Sequence, residues 1–305
     1  VTGLVGSEMC IRDRISIMQI KSFAIWANAD KKQVPELVSK TVRWAEKNNL
    51  NVHLPAKLKS IASSENVSFY EPNEPPLVDF LLCFGGDGTL IAGVRIFNNH
   101  NVPILGVHLG GLGFLAQITS DVLLEKLDAI KNNDFKIQDR LILSAEVSND
   151  NQKYYAINDF VVQNEISFRV TSLSLYVNDK HVSDYKSDGI IISSPTGSTA
   201  YSLSSGGPIV QPDVFSIVIT PIAPHSLTSR PLVLPPDVEV EFRFSEESEE
   251  NLNLIVDGQN IIKFSKESKV MLRQAKHQLK FITFKDYDYY KTLKSKMVWG
   301  RRGNK

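Results

Sequence analysis

Two cysteines in 305 residues, Cys10 and Cys83, are too few for a disulfide framework, and Cys83 lies in an apolar run that reads as a buried strand. A reducing compartment fits, and a cytoplasmic location is expected. No window approaches the roughly eighteen consecutive apolar residues of a membrane helix, so a soluble chain with no membrane partner is expected. An excess of one charge is also missing, because 34 Lys and Arg balance 34 Asp and Glu. No whole-molecule field then favours nucleic acid or an anionic surface, and any phosphate site has to be local. The pattern G-x-x-x-x-G-K-[ST] is absent, which excludes a Walker-type site, and no G-x-G-x-x-G follows the first strand, which removes support for a standard hydride-transfer dehydrogenase. Internal repeats, low-complexity tracts and the His or Cys spacing of a protein metal site are missing too.

What is present is an ordinary globular composition, 42% hydrophobic and 22% charged, in a length that favours two domains. Residues 1–17, VTGLVGSEMCIRDRISI, lack the apolar core of a signal peptide and do not read as structure. They are expected to be a non-native or disordered extension, with the natural start at Met18. From Met18 to about residue 120, short apolar runs (KSFAIWAN, VDFLLCF, VPILGVHL) alternate with helical stretches (VPELVSKTVRWAEK, TLIAGVRIF, SDVLLEKLDAI just beyond), which predicts a Rossmann-like α/β domain with a parallel sheet. From residue 121 to 284 the runs RLILSAEV, YYAINDFVVQ, TSLSLYVND, GIIIS, VFSIVIT, EVEFRFS, LNLIVDG and KVMLRQA predict a β-rich, sandwich-like domain. Residues 285–305 form an amphipathic segment expected to return to the α/β domain. SEESEE from Ser245 reads as a solvated loop, and Asp257-Gly258 as a hairpin turn.

The chemistry centres on Gly85-Gly86-Asp87-Gly88-Thr89, which follows the apolar strand and precedes a helix. A carboxylate there sits at the carboxyl end of a parallel sheet, where open α/β folds bind ligands. Gly85, Gly86 and Gly88 are expected to allow positive φ and close approach of phosphate oxygens to backbone N–H groups. Thr89 is expected to cap the helix. A second segment, SDGIIISSPTGSTAYSLSSGGPIV from Ser187, is dense in hydroxyls and glycines and reads as a binding surface for ribose, amide and phosphate groups. Ser193, Ser194, Thr196, Ser198, Thr199, Tyr201, Ser202 and Ser204 are its candidate contacts, although several must instead fill turns. His108 and His225 read as core or loop histidines.

GGDGT at 85–89, Asn158-Asp159 and DGIIISSPTGSTAYSLSSGGPIV occur in the order and approximate spacing of the NAD kinase family, which the chain resembles over nearly all its length after Met18. Lipid kinases resemble the first motif alone; the PTGSTAYSLSSGGP stretch sets the chain apart from them. The resemblance implies transfer of a phosphoryl group from ATP, or another phosphate donor, to the 2′-hydroxyl of the adenosine ribose of NAD, giving NADP. It implies Asp87 as the catalytic residue. NAD contacts are implied at Asp87, Gly88, Asn158, Asp159, Arg169, Lys186, Asp188, Thr199, Ala200, Tyr201, Ser202, Leu203, Ser204 and Gln259. Gly85, Gly86, Gly88 and Thr89 would form the phosphate-donor turn. A divalent cation, Mg²⁺, is expected to arrive with the donor phosphates rather than on protein side chains. A homodimer or homotetramer assembled through the β-rich domain is expected. Two rival readings are a lipid or sugar kinase sharing the Asp87 turn, and a nucleotide-binding regulator without turnover.

Overall fold

The computed structural model describes residues 19–62, 64–97, 101–110, 113–148, 150–166, 170–244, 251–265 and 267–299. The expected extension at 1–17, the 245–250 loop and Arg169 lie outside the described residues.

The first unit runs β1 (Ser22–Ala27), α1 (Val34–Lys47), β2 (Asn51–Pro55), β3 (Val67–Tyr70), β4 (Phe80–Phe84), α2 (Asp87–Phe97), β5 (Ile104–His108), β6 (Ile118–Thr119), α3 (Leu123–Lys131) and β7 (Lys136–Arg140). The second continues as β8 (Leu143–Val147), β9 (Lys153–Ala156), β10 (Asp159–Asn164), β11 (Thr171–Val177), β12 (Lys180–Ser187), β13 (Gly189–Ser193) and α4 (Tyr201–Ser204). It ends with β14 (Ile217–Ile222), β15 (Leu232–Leu234), β16 (Val240–Phe244), β17 (Leu252–Val256), β18 (Asn260–Phe264) and β19 (Val270–Gln274). The chain then returns through β20 (Leu279–Thr283) to α5 (Tyr289–Lys296).

The first sheet has the order β3-β2-β1-β4-β5-β20-β7, with β6 also on β5. It is parallel from β3 to β20, and β7 pairs antiparallel with β20. The central strand β4 is buried along its whole length because both faces are covered. Phe80, Leu82 and Phe84 pack with α1 and α3, whereas Leu81 and Cys83 pack with α2. This alternation is why VDFLLCF reads as an unbroken apolar run, and burying each large side chain contributes about 1.5–3 kcal/mol. Burial also pushes the Cys83 thiol pKa well up, so the group stays inert.

The second unit is a sandwich of two six-stranded antiparallel sheets, β15-β14-β13-β10-β17-β18 and β12-β11-β16-β19-β8-β9. Alternate residues of both, such as Phe160, Val162, Ile190 and Ile192 against Leu173, Leu175, Val240 and Phe242, share one core. Two strands of the first sheet, β7 and β20, come from beyond the boundary placed at residue 120, so the chain crosses between units twice. After β20, Asp286 bonds Lys126 at 2.7 Å and Lys285 bonds Asp134 at 2.8 Å, which lays the final segment along α3. YYAINDFVVQ, read as one strand, is two: it breaks at Ile157–Asn158 between β9 and β10. That break belongs to the candidate site.

Candidate active site between the two units

Asp87 is the first residue of α2, two positions before the expected start. Thr89 is therefore inside the first turn and does not cap the helix; its N–H donates to Gly86 O at 3.0 Å. None of Gly85, Gly86 and Gly88 takes the left-handed φ expected of them. Glycine is required at 85 for a steric reason, since a Cβ there would lie 2.4 Å from Thr89 Oγ1, while Gly86 and Gly88 leave open space around the start of α2.

The Asp87 carboxylate is seated on the loop after β5. Its Oδ2 accepts from the Phe114 N–H at 2.9 Å and its Oδ1 from the Leu115 N–H at 3.1 Å. A Cβ at Gly113 would stand 2.1 Å from Oδ1, so only glycine lets the loop close on the carboxylate. Both oxygens keep lone pairs, and the residue is half-buried.

The opposite wall is built around Asn158. Asp257, at φ 49° beside Gly258 at φ 66°, makes the expected hairpin turn. Its side chain, 1% exposed, does more than turn the chain. It accepts from the N–H groups of Ile157 at 3.2 Å, Asn158 at 2.7 Å and Asp159 at 3.2 Å. Arg95 of α2 stands 3.6 Å from Asp257 and donates to Gln259 at 3.1 Å, joining the two units. Sequence reasoning missed both Asp257 as an acceptor and Arg95. Partners 98 to 164 positions apart leave no spacing signal.

The loop after β13 closes on the same point. Ser194 N–H donates to Asn158 O at 2.8 Å and Ser194 Oγ to Ile157 O at 2.5 Å. A Cβ at Gly197 would lie 2.1 Å from Asn158 O. Gly197→Ala is expected to push this loop off Asn158 and lower the melting temperature by several degrees, about 1–3 kcal/mol of overpacking, as a thermal melt would show.

Several hydroxyls expected to face a ligand turn inward instead. Ser193, Ser194, Ser198 and Ser202 are fully buried. Ser202, an expected NAD contact, bonds Thr220 Oγ1 at 2.9 Å, and Ser198 bonds Pro195 O and Val210 O. Thr199, Ala200, Tyr201, Leu203 and Ser204 keep exposed surface. Lys186 and Asp188 are exposed but stand beyond Gly189, at the opposite end of β13 from Ser193, which pairs with Asp159. At the rise of a strand they are roughly 15 Å away. Phe114 and Leu115, which hold Asp87, line one cavity with Thr196 and Thr199, and Arg95 ties α2 to the turn that holds Asn158, whereas Lys186 and Asp188 stand apart from these contacts. His108 is buried against Gly110 O, and His225 is exposed.

A family model described as the ATP-NAD kinase N-terminal domain matches residues 23–135, and one described as the ATP-NAD kinase C-terminal domain matches residues 157–284. The chain belongs to the NAD kinase family. An NAD kinase of Geobacter metallireducens is 34% identical over 291 residues, covering 93% of this chain and all of the relative. One from Sulfurimonas denitrificans is 40% identical over 224 residues, covering 73% of this chain and 78% of the relative. In fold, the chain is similar to yeast NADH kinase complexed with NADH, at TM-score 0.82 and 23% identity over 93% of this chain and 89% of that one. It is also similar to an NAD kinase from Archaeoglobus fulgidus in complex with ATP, at TM-score 0.70 and 21% identity over 91% of this chain and 98% of that one. The lipid-kinase alternative falls with the two family matches.

Within this NAD kinase fold, Asp159 is strongly altered by its surroundings. Burial, reinforced by Asp257, pushes its pKa up to about 7. Burial raises Asp257 as well, against the three amides and Arg95 that favour its charged form. An unfolded aspartate titrates near pH 3.9, so from roughly pH 4 to 7 the folded chain binds the extra proton, and stability falls as pH rises through that window. Asp159→Asn is expected to flatten this slope and to be more stable than the parent above pH 7, as denaturant midpoints at pH 5 and 8 would reveal. A group kept at such a cost near neutral pH fits a ligand-binding role.

Proposed function

We propose that this chain catalyses ATP-dependent phosphorylation of NAD at the 2′-hydroxyl of the adenosine ribose, with Asp87 orienting and deprotonating that hydroxyl. The observation that supports the reading is the seating of the Asp87 carboxylate on the amides of Phe114 and Leu115, residues that line one cavity with Thr196 and Thr199 of the second unit. The ribose oxygen attacks the terminal phosphorus, the bond from that phosphorus to the bridging oxygen breaks, and ADP leaves with that oxygen. The hydroxyl proton passes to Asp87 and then to solvent. A free carboxylate, with a pKa near 3.9, is a weak base, but in a loose transition state the proton moves late, once the hydroxyl has become acidic.

The open approach over Gly86 and Gly88 leaves backbone N–H groups free to meet donor phosphates at the start of α2. Mg²⁺ prefers few protein carboxylates and several phosphate oxygens, and no cluster of three or more His, Cys, Asp or Glu side chains suited to a metal ion occurs among the described residues, so the donor phosphates would hold it. When bound, it would screen the phosphate charge. Asn158 and Asp159 would hold the ribose or adenine, and Thr199, Ala200, Tyr201, Leu203 and Ser204 the rest of the nucleotide. Arg169, Lys186, Asp188 and Gln259 remain proposed contacts, in a cytoplasmic homodimer or homotetramer.

The test is direct. The purified full chain, given NAD, ATP and Mg²⁺ and coupled to an NADP-specific dehydrogenase, is expected to generate NADP continuously. No product with either ATP or polyphosphate would overturn the reading and favour a non-catalytic nucleotide sensor.

A further inference from the structure

Nine buried side-chain polar atoms have no hydrogen-bond partner among the described residues, and three of them belong to residues lining a single small cavity. They are Arg140 Nη1 at the end of β7, Thr196 Oγ1 in the loop after β13, and Tyr289 Oη at the start of α5. Arg140 is 4% exposed and Thr196 6% exposed. The remaining walls include Thr199 and also Phe114 and Leu115, the residues whose amides hold Asp87. The cavity offers about 10 Å³, the room of one water molecule.

Burying one such atom without a partner costs about 1–3 kcal/mol, and more for a guanidinium, so three around one space by accident would be a heavy uncompensated burden. Among the described residues Arg140 makes no ion pair; Tyr287 and, at longer range, Asp213 favour its charge against burial, and its other terminal nitrogen, Nη2, donates to Gln138 at 2.9 Å, which leaves Nη1 without a partner. Tyr289 is held in place because Asp288 caps α5 through the N–H groups of Tyr290 and Lys291. Tyr290 further ties the helix to Gln211 at 2.6 Å. The three atoms also suit one occupant chemically. Arg140 can only donate, while the two hydroxyls can donate or accept. A water accepts from Arg140 and makes its other bonds to Thr196 and Tyr289, three partners in all, as buried waters commonly have.

We propose that Arg140, Thr196 and Tyr289 hold one buried water between the two units, and that through it Arg140 and the C-terminal helix act as positioning residues for the 196–199 loop at the nucleotide site. Thr199 Oγ1 donates to Thr196 O at 3.2 Å, so a shift at Thr196 is passed to a proposed NAD contact. The functional part of this proposal rests on the NAD kinase reading; the structural part does not.

Two near-isosteric variants of the full chain, Thr196→Val and Tyr289→Phe, give a test by sign. Each removes only one orphaned oxygen or its equivalent. If those oxygens truly lacked a partner, their removal would leave the melting temperature unchanged or raise it. The water node instead predicts that each lowers it by about 2–4 °C. Each should also raise KM for NAD by roughly three- to tenfold with kcat little changed. The double variant should be scarcely worse than the poorer single one, because both act through one shared molecule. Unchanged or raised melting temperatures would overturn the node. Lowered melting temperatures with an unchanged KM, or effects that multiply in the double variant, would overturn the positioning role. A parent protein that bound NAD but made no NADP would sink the NAD kinase reading, while the melting temperatures still judged the node.

Discussion

Asp87→Asn is expected to lower kcat roughly a hundredfold or more while NAD binding stays close to that of the parent, the loss that removal of a general base usually brings. The side chains are nearly the same size, so the substitution probes charge and basicity rather than packing. Its structural cost can be set beforehand. In the parent, one carboxylate oxygen faces the Phe114 N–H at 2.9 Å and the other the Leu115 N–H at 3.1 Å. An asparagine can accept only one of these bonds, and its NH₂ group must meet the other N–H as a second donor. That removes about 1 kcal/mol and lowers the melting temperature by a few degrees. The whole loss in kcat could come from this source only if the loop after β5 came away from α2, and the melt would report it. Coupled-assay kcat, calorimetric NAD affinity and the melting temperature, taken together, therefore separate chemistry from scaffold. Normal turnover in the variant would remove Asp87 from the mechanism.

The same residue marks what could be read from the chain alone. A strand apolar on both faces, ending in glycines and followed by a helical period, is a local pattern, and β4, Asp87 and α2 follow from it. The Asn158-Asp159 pair stands out in the sequence only by resemblance, since no local pattern marks it. The inward turn of Ser198 and Ser202 was not, because a serine that binds a ligand and one that closes a turn look alike in sequence. Edge strands were missed for a related reason: KIQDR of β7 and KHVSDYKS of β12 are mostly polar and carry no clear alternation. β20 was missed because its place between β5 and β7 is set by partners more than 130 residues earlier. Glycine was read for its backbone freedom, yet at 85, 113 and 197 it is needed for the space a Cβ would take.

Asp257 is the residue whose loss should damage the scaffold most. Asp257→Ala is expected to destabilise the chain by about 3–5 kcal/mol, because three amides lose their acceptor at about 1 kcal/mol or more each. Three N–H groups at residues 157–159 would lose their acceptor and Arg95 its carboxylate. Denaturant midpoints would measure the loss, and a change under about 1 kcal/mol would show that the amides find other acceptors. Arg95→Met separates the two parts of the loss. It removes the bridge from α2 and leaves the Asp257 carboxylate on all three amides, so it should cost much less. Charge adds a second difference between them. Without Arg95, Asp257 loses the cation that favours its ionised form, so its pKa should rise further; without Asp257, Asp159 loses a neighbouring negative charge, so its pKa should fall. Asp257→Ala should therefore narrow the pH window over which Asp159 weakens the fold, leaving less stability to be lost as pH rises toward neutrality. The two carboxylates thus oppose each other across the backbone of Asn158, one fixing the turn and the other held near its titration point by that fixing.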